Sequence, residues 1–167
     1  PPARDTLIAR GILDTAGRIP PRTFVAHYVG DYDAAAWLHR ELPRMWRDPA
    51  HGRVPLAWAF NPNLADRFPF GMAWARQHAM TNDWFVAGDS GAGYLNPGYL
   101  TEPRPHSGLP SGLTTWERHC RSYYDRWDLG VTGFAIDGYA RAMASETWDA
   151  YARFSPGGVV AQKVPRQ

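Results

Sequence analysis

Short apolar runs alternate along the chain with stretches whose apolar residues recur at helical spacing. The runs are rich in β-branched and aromatic residues and are bounded by Pro, Gly, Asn or Asp, which is typical of strands. They are nearly continuous in apolar residues, so we expect both faces of their sheet to be buried. The pattern predicts strands at residues 23–29, 54–60, 84–87, 131–136 and 158–161.

Helical periodicity connects these strands. Asp31 and Asp33 precede the first helical stretch, and Asp is a favoured residue at a helix N-terminus. Pro43 is expected to kink or shorten that helix, and Pro69 to interrupt the next one. The predicted helices are residues 34–46, 64–80, 113–127 and 145–153. The third carries a stripe of core residues, namely Leu113, Trp116, Cys120, Tyr123, Tyr124 and Trp127.

Strands that alternate with helices indicate βα units and a parallel sheet. We expect one α/β domain over residues 1–167, a TIM-barrel-like fold of about five βα units. A complete eightfold barrel takes roughly 250 residues, so the barrel is expected to be incomplete. An open, doubly wound sheet of five strands is the alternative. The chain begins at Pro1 and not at Met, so we expect it to be part of a longer protein.

Charge and composition exclude several functional classes. The 18 Lys and Arg residues nearly balance 16 Asp and Glu residues, which argues against nucleic-acid and polybasic membrane-surface binding. No apolar run reaches the ~18 residues of a membrane span. A single cysteine, Cys120, excludes a disulfide within the chain. No short spacing of His or Cys predicts a metal site, and we expect no cofactor.

Carboxylates follow three of the predicted strands, and ligands of parallel α/β folds bind at the carboxyl ends of strands. Asp31, Asp89 and Asp137 are therefore the candidate catalytic residues. Glycoside hydrolysis commonly needs one protonated carboxyl group and one carboxylate that acts as nucleophile or base. Neighbouring carboxylates acquire different pKa values, which supplies both roles. The alternative is that these are ordinary turn and cap residues.

Polar, aromatic and glycine residues near the same edge are candidate substrate-binding residues. Glycines in the segment 88–97 allow the backbone to approach a ligand closely, although the segment lacks the patterns of dinucleotide and phosphate loops. Trp58 could stack on a sugar or lie in the core, and His27 could face a polar edge. The candidates are His27, Asp33, Trp58, Asn61, Asn63, Ser90, Gly91, Gly93, Tyr94 and Asn96.

The segment Gly91-Ala-Gly-Tyr-Leu-Asn-Pro97 resembles the motif that names the GxGYxYP putative glycoside hydrolases. It matches at both glycines, at Tyr94 and at Pro97, and it departs at Asn96, where the motif has a second Tyr. The resemblance extends to segments 58–63 and 82–88 and covers most of residues 20–140.

This resemblance implies a carbohydrate-active, barrel-like α/β domain, usually the C-terminal part of a longer and often exported protein. It implies a carbohydrate substrate, contact with the remaining domains of that longer chain, and an extracellular or periplasmic location. We therefore expect hydrolysis of a glycosidic bond. A non-catalytic carbohydrate-binding or scaffold domain is the alternative. A third hypothesis is an esterase with Ser90 as nucleophile, because Gly88-Asp-Ser90 resembles the GDSL-type esterases.

Overall fold

The computed structural model of the chain describes residues 3–32, 34–104, 107–136 and 142–162, with side chains except at 31, 32, 161 and 162. The strands are β1 (Tyr28–Tyr32), β2 (Leu56–Phe60), β3 (Asp83–Ala87), β4 (Val131–Ile136) and β5 (Gly158–Gln162). The helices are α1 (Arg4–Ala9), α2 (Ala35–Trp46), α3 (Leu64–Arg67), α4 (Pro69–His78), α5 (Leu113–Trp127) and α6 (Ser145–Phe154). A single 3₁₀ turn spans Pro97–Tyr99.

All five strands are parallel, and their order in the sheet is their order in the sequence. The sheet curls into a half-barrel, with helices between the strands, and residues of β1 and β4 approach within 8 Å. A doubly wound sheet would reverse its strand order near the middle. The sequential order therefore confirms the prediction of an incomplete, barrel-like βα fold.

The first strand differs from the prediction. It begins at Tyr28 and not at Thr23, and residues 23–26 are exposed. β1 starts late because the neighbouring strand β2 begins only at Leu56. The first hydrogen bond between the two strands runs from the N–H of Ala57 to the carbonyl of His27. Earlier residues are extended and apolar but have no strand beside them. Helix α1 was not predicted at all.

Two prolines affect the helices differently. Pro43 lies inside α2, which nevertheless continues to Trp46, so the proline does not shorten the helix. Pro69 occupies the first turn of α4 and separates it from α3, which confirms the predicted interruption. The predicted cap at Asp31 is wrong: Asp31 belongs to β1, and α2 begins after Ala34 without a side-chain cap.

Apolar side chains form two core clusters under the helices. One joins α2 and α4 to β2 and includes Leu42, Trp46 and Trp58. The other joins α5 and α6 to β3 and β4. It buries Leu113, Trp116, Cys120 and Tyr124, with Tyr123 packed at its margin, and Trp127 packs against the first cluster. The predicted stripe of α5 is thus confirmed as core. Within the described ranges, none of the helices has the length and apolar character that a membrane span requires.

Candidate active site at the carboxyl ends of the strands

The carboxyl ends of β2, β3 and β4 lie side by side and are joined by backbone hydrogen bonds. Gly88 donates its N–H to the carbonyl of Phe60 (2.7 Å), and Ser90 donates to the carbonyl of Phe134 (2.8 Å). We call residues 61–63, 88–97 and 134–136 the rim. The sheet therefore brings the predicted segments after β2 and β3 together with the end of β4.

Three consecutive rim residues have positive φ angles. Asp89 and Ser90 have φ values of 57° and 66°, and Gly91 has 126°. A residue with a Cβ pays about 1–2 kcal/mol in the left-handed region. Such backbone persists only where surrounding contacts hold it, and it is enriched at functional sites. Asp89 is 1% exposed and Ser90 is 0% exposed, so both residues are surrounded by the rest of the protein.

Helix α5 contacts Gly91 and Ala92 of the rim. Ala92 donates its N–H to the sulfur of Cys120 (3.4 Å), and its carbonyl accepts a hydrogen bond from Nε2 of His119 (2.8 Å). Burial raises the pKa of the Cys120 thiol to about 12, and the Ala92 N–H partly offsets this rise. A Cβ at Gly91 would lie 2.8 Å from the same sulfur. Sequence reasoning placed Cys120 in the core, but it missed these contacts because no pattern links residues so far apart in the chain.

The end of β2 contributes amide side chains to the rim. Asn61 is 3% exposed, and its Oδ1 accepts the N–H of Asn63 (3.2 Å), which forms the turn after the strand. Oδ1 of Asn63 and Oδ1 of Asn96 are both buried, and neither has a donor among the described residues. A buried acceptor without a donor costs about 1–3 kcal/mol. An enclosed water that donates a hydrogen bond there would stabilise either atom.

Two predicted binding residues lie away from the rim. Trp58 is buried in the core, where its Nε1 donates to Oδ1 of Asp83 (2.9 Å) at the start of β3. Oδ2 of the same carboxylate is bonded to Nε2 of His51 (2.8 Å). His27 is exposed and precedes β1, so it lies at the amino ends of the strands. The expectation that His27 faces the polar edge is therefore wrong, because β1 begins only after this residue.

Asp89 is the candidate catalytic residue whose side chain the structure describes. The backbone of Asp31 lies within β1, but its side chain is not described, and Asp33 and Asp137 lie outside the described residues. That the three candidate carboxylates meet thus stays a prediction. Among the residues placed by the structure, no group of three or more His, Cys, Asp or Glu side chains could hold a metal ion.

An open, apolar groove of about 620 Å³ lies elsewhere, on the helical layer between α2 and α4. Leu38, Pro43, Phe70 and Trp74 are among its lining residues. The groove carries none of the candidate site residues, so its volume does not bear on the chemistry of the rim.

A comparison with known protein families assigns the chain to one of them. The family model described as "GxGYxYP putative glycoside hydrolase C-terminal domain" matches residues 22–165. The chain belongs to this family. The resemblance seen in the motif segment is therefore confirmed over nearly the whole chain, including β5 and α6, which lie beyond residue 140.

A solved structure has the same fold. The crystal structure of a putative hydrolase from Bacteroides thetaiotaomicron VPI-5482 superposes on 84% of this chain with a TM-score of 0.66 and 20% sequence identity. At this identity the likeness shows the fold alone. This chain covers 26% of that protein, so it spans about a quarter of its length. Comparison with curated proteins gives no match.

The two glycines of the GxGYxYP motif differ in their structural roles. Gly91 has a positive φ and touches Cys120, so both backbone and packing require a glycine. Gly93 has neither constraint: its φ lies outside the left-handed region, and among the described residues a Cβ there would meet only Nδ2 of Asn63, at 4.0 Å. Tyr94 beside it is 65% exposed. The Gly93–Tyr94 segment thus presents open backbone and an accessible ring to solvent.

Proposed function

We propose that this chain contributes the carboxylate machinery of a glycoside hydrolase. The observation that carries the proposal is the position of Asp89 in a left-handed segment held between the carboxyl ends of neighbouring parallel strands. That edge is where parallel α/β folds bind their ligands. Membership of a family named for putative glycoside hydrolases supports the same activity.

In the proposed reaction, one rim carboxyl group protonates the glycosidic oxygen as its bond to the anomeric carbon breaks. A second carboxylate either attacks that carbon, forming a glycosyl ester that water then hydrolyses, or removes a proton from the attacking water. Asp89 is one of the pair, and Asp31 or Asp137 is the other. Tyr94, whose ring is 65% exposed, stacks on a sugar ring.

The test is turnover of a panel of oligosaccharides by the chain and by variants with Asp→Asn at 31, 89 and 137. Loss of a catalytic carboxylate is expected to lower kcat by about 100-fold or more. Asp66→Asn is the matched control, because Asp66 is an exposed carboxylate on α3 that accepts hydrogen bonds from Tyr123 and Arg126. Equal activity in all four variants would contradict the proposal.

The burial of Asp89 favours a second candidate, a non-catalytic carbohydrate-binding or scaffold domain. A carboxylate that is 1% exposed cannot reach a substrate unless the rim rearranges. This alternative predicts sugar binding, measured by calorimetry, that survives the Asp→Asn changes and weakens in Tyr94→Ala. Binding without turnover on the whole panel would favour it over the hydrolase.

The esterase hypothesis has less support from the geometry. The hydroxyl of Ser90 accepts the N–H of Ile136 (2.8 Å) inside the sheet and is not at the surface. A serine-reactive phosphonate is therefore expected to leave the folded chain unlabelled. Labelling of the wild type that disappears in Ser90→Ala would support the esterase hypothesis. For the complete protein we propose an extracellular or periplasmic location and contact of this domain with further domains, as the family resemblance implies.

A further inference from the structure

Ser90 is bound to two elements of the fold, β4 and α6, through three hydrogen bonds. Its N–H donates to the carbonyl of Phe134 (2.8 Å), and its Oγ accepts the N–H of Ile136 (2.8 Å), both on β4. Its carbonyl accepts the hydroxyl proton of Tyr151 on α6 (3.1 Å). Side chain and backbone are fully buried, so none of these bonds competes with solvent.

The hydroxyl of Ser90 replaces a missing part of the β ladder. The chain leaves β3 after Ala87 and turns into the left-handed region at Asp89, so backbone carbonyls of a regular strand are no longer available beside the end of β4. Ile136 still needs an acceptor for its N–H, because buried backbone donors are almost always paired. Oγ of Ser90 supplies it. Glycine would fit the φ of 66° with less strain, but it would lack this oxygen.

We infer that Ser90 is a positioning residue of the rim. It fixes the end of β4 against the segment that carries Asp89, and Ile136 is the residue before Asp137 in the sequence. This role rests on the proposed function, in which Asp89 and Asp137 are candidate catalytic carboxylates. It assigns the Ser90 hydroxyl to geometry and not to nucleophilic attack.

The opposite end of β4 offers a matched control. Oγ of Ser155 accepts the N–H of Thr132 at 2.8 Å, the same bond at the same length, and Ser155 is also buried. Thr132 and Ile136 lie about 13 Å apart along the strand, given ~3.3 Å per residue. Ser155→Ala therefore removes the same kind of bond to β4 away from the rim. It also removes the bonds that Oγ of Ser155 accepts from Oγ1 of Thr132 (3.0 Å) and donates to the carbonyl of Gly158 (2.8 Å), so it is the more severe of the two changes.

A second pair of variants tests the same contrast with tyrosines. Tyr151→Phe removes the hydroxyl that donates to Ser90, and Tyr124→Phe removes the hydroxyl bonded to Thr132 (2.6 Å). These changes retain the aromatic rings and keep the packing of α5 and α6. They therefore give a result even if Ser90→Ala fails to fold.

The experiment measures two quantities in the intact chain and in each variant. The first needs no substrate: amide hydrogen exchange at Ile136 and the carboxyl ¹³C resonance of Asp89, both by NMR. Ser90→Ala is expected to accelerate exchange at Ile136 by about tenfold or more and to move the Asp89 resonance. Ser155→Ala should accelerate exchange at Thr132 and leave the Asp89 resonance in place. Tyr151→Phe should move that resonance in the same direction as Ser90→Ala, and Tyr124→Phe should not.

The second quantity is turnover of a cleaved oligosaccharide. Ser90→Ala is expected to lower kcat by about tenfold with KM within about twofold, and Ser155→Ala to leave both unchanged. The inference is overturned if the Ser90 and Ser155 variants change kcat equally, or if the Ile136 and Asp89 signals stay at their wild-type values. Absence of turnover on every glycan would refute the proposed hydrolase. The NMR contrast would still decide whether Ser90 positions the rim.

Discussion

Gly91→Ala is the substitution for which the structure makes the sharpest prediction. An added Cβ would meet two separate obstacles. The φ angle of 126° is one that residues with a Cβ rarely adopt, and the new carbon would lie 2.8 Å from the sulfur of Cys120. The ring of Phe154 lies 3.6 Å from the same position, so the added carbon would enter a filled part of the core.

The free-energy costs of the strained backbone and of the clash with Cys120 can be estimated separately. Backbone strain of this kind costs about 1–3 kcal/mol. Overpacking of a filled core by one carbon costs about another 1–3 kcal/mol. Together they predict a loss of about 2–6 kcal/mol, a large part of the 5–15 kcal/mol by which domains are typically stable. Gly108→Ala serves as a comparison for backbone strain without a clash, because Gly108 also has a positive φ (61°) and no described residue lies within 4 Å of the added carbon.

The assay is urea unfolding of Gly91→Ala, Cys120→Ala and the double variant. Removing the sulfur alone should cost about 1 kcal/mol, as for other losses of one buried heavy atom. It also removes the clash, so Gly91→Ala should cost about 1–3 kcal/mol less in the Cys120→Ala background. An equal cost in both backgrounds would refute the steric part of the reasoning. A cost no larger than that of Gly108→Ala would refute it as well.

Four further predictions concern other parts of the chain. Gly93→Ala should leave the unfolding midpoint unchanged while it weakens glycan binding by calorimetry, because only a ligand requires the open backbone there; a large loss of stability would contradict this. Cys120 should resist alkylation at about pH 8 until the chain unfolds, because burial raises its thiol pKa to about 12; rapid native-state alkylation would refute its burial. The hydrogen bond from the Tyr123 hydroxyl lowers the pKa of the Asp66 carboxyl. The stability that Asp66→Asn removes should therefore be present above about pH 4 and be lost as the pH falls below the lowered pKa. If the urea midpoints of the wild type and of Asp66→Asn differ equally at pH ~7 and pH ~2, this linkage is excluded. Asp83→Ala removes the acceptor that Nε2 of His51 and Nε1 of Trp58 share, so it should lower the free energy of unfolding by about 3 kcal/mol. An unchanged midpoint in thermal unfolding would contradict this prediction.

The sequence predicted the fold well because each strand is a short apolar run that can be recognised locally. The expected burial of both sheet faces holds for β2 and β4, whereas Trp84 of β3 and Val160 of β5 are more than half exposed. Strands β2 to β5 and helices α2, α5 and α6 lie close to their predicted positions. Pro69 divides two helices for a reason local to its own ring. The start of β1 failed because it depends on where its neighbour begins, and that information lies some thirty residues further along the chain.

The same distinction between local sequence and contacts with distant segments applies to the candidate site. By itself, the sequence determined which residues follow the strands, since a parallel sheet sends all its carboxyl ends to one edge, and so it placed Asn61, Asp89 and Ser90 on the rim. Only the tertiary structure decided what each side chain does there. It buried Trp58 against Asp83 instead of exposing it to a ligand, and it put the hydroxyl of Ser90 into the ladder of β4. The reason is that solvent exposure and hydrogen-bond partners depend on elements distant in the chain, which no local spacing records.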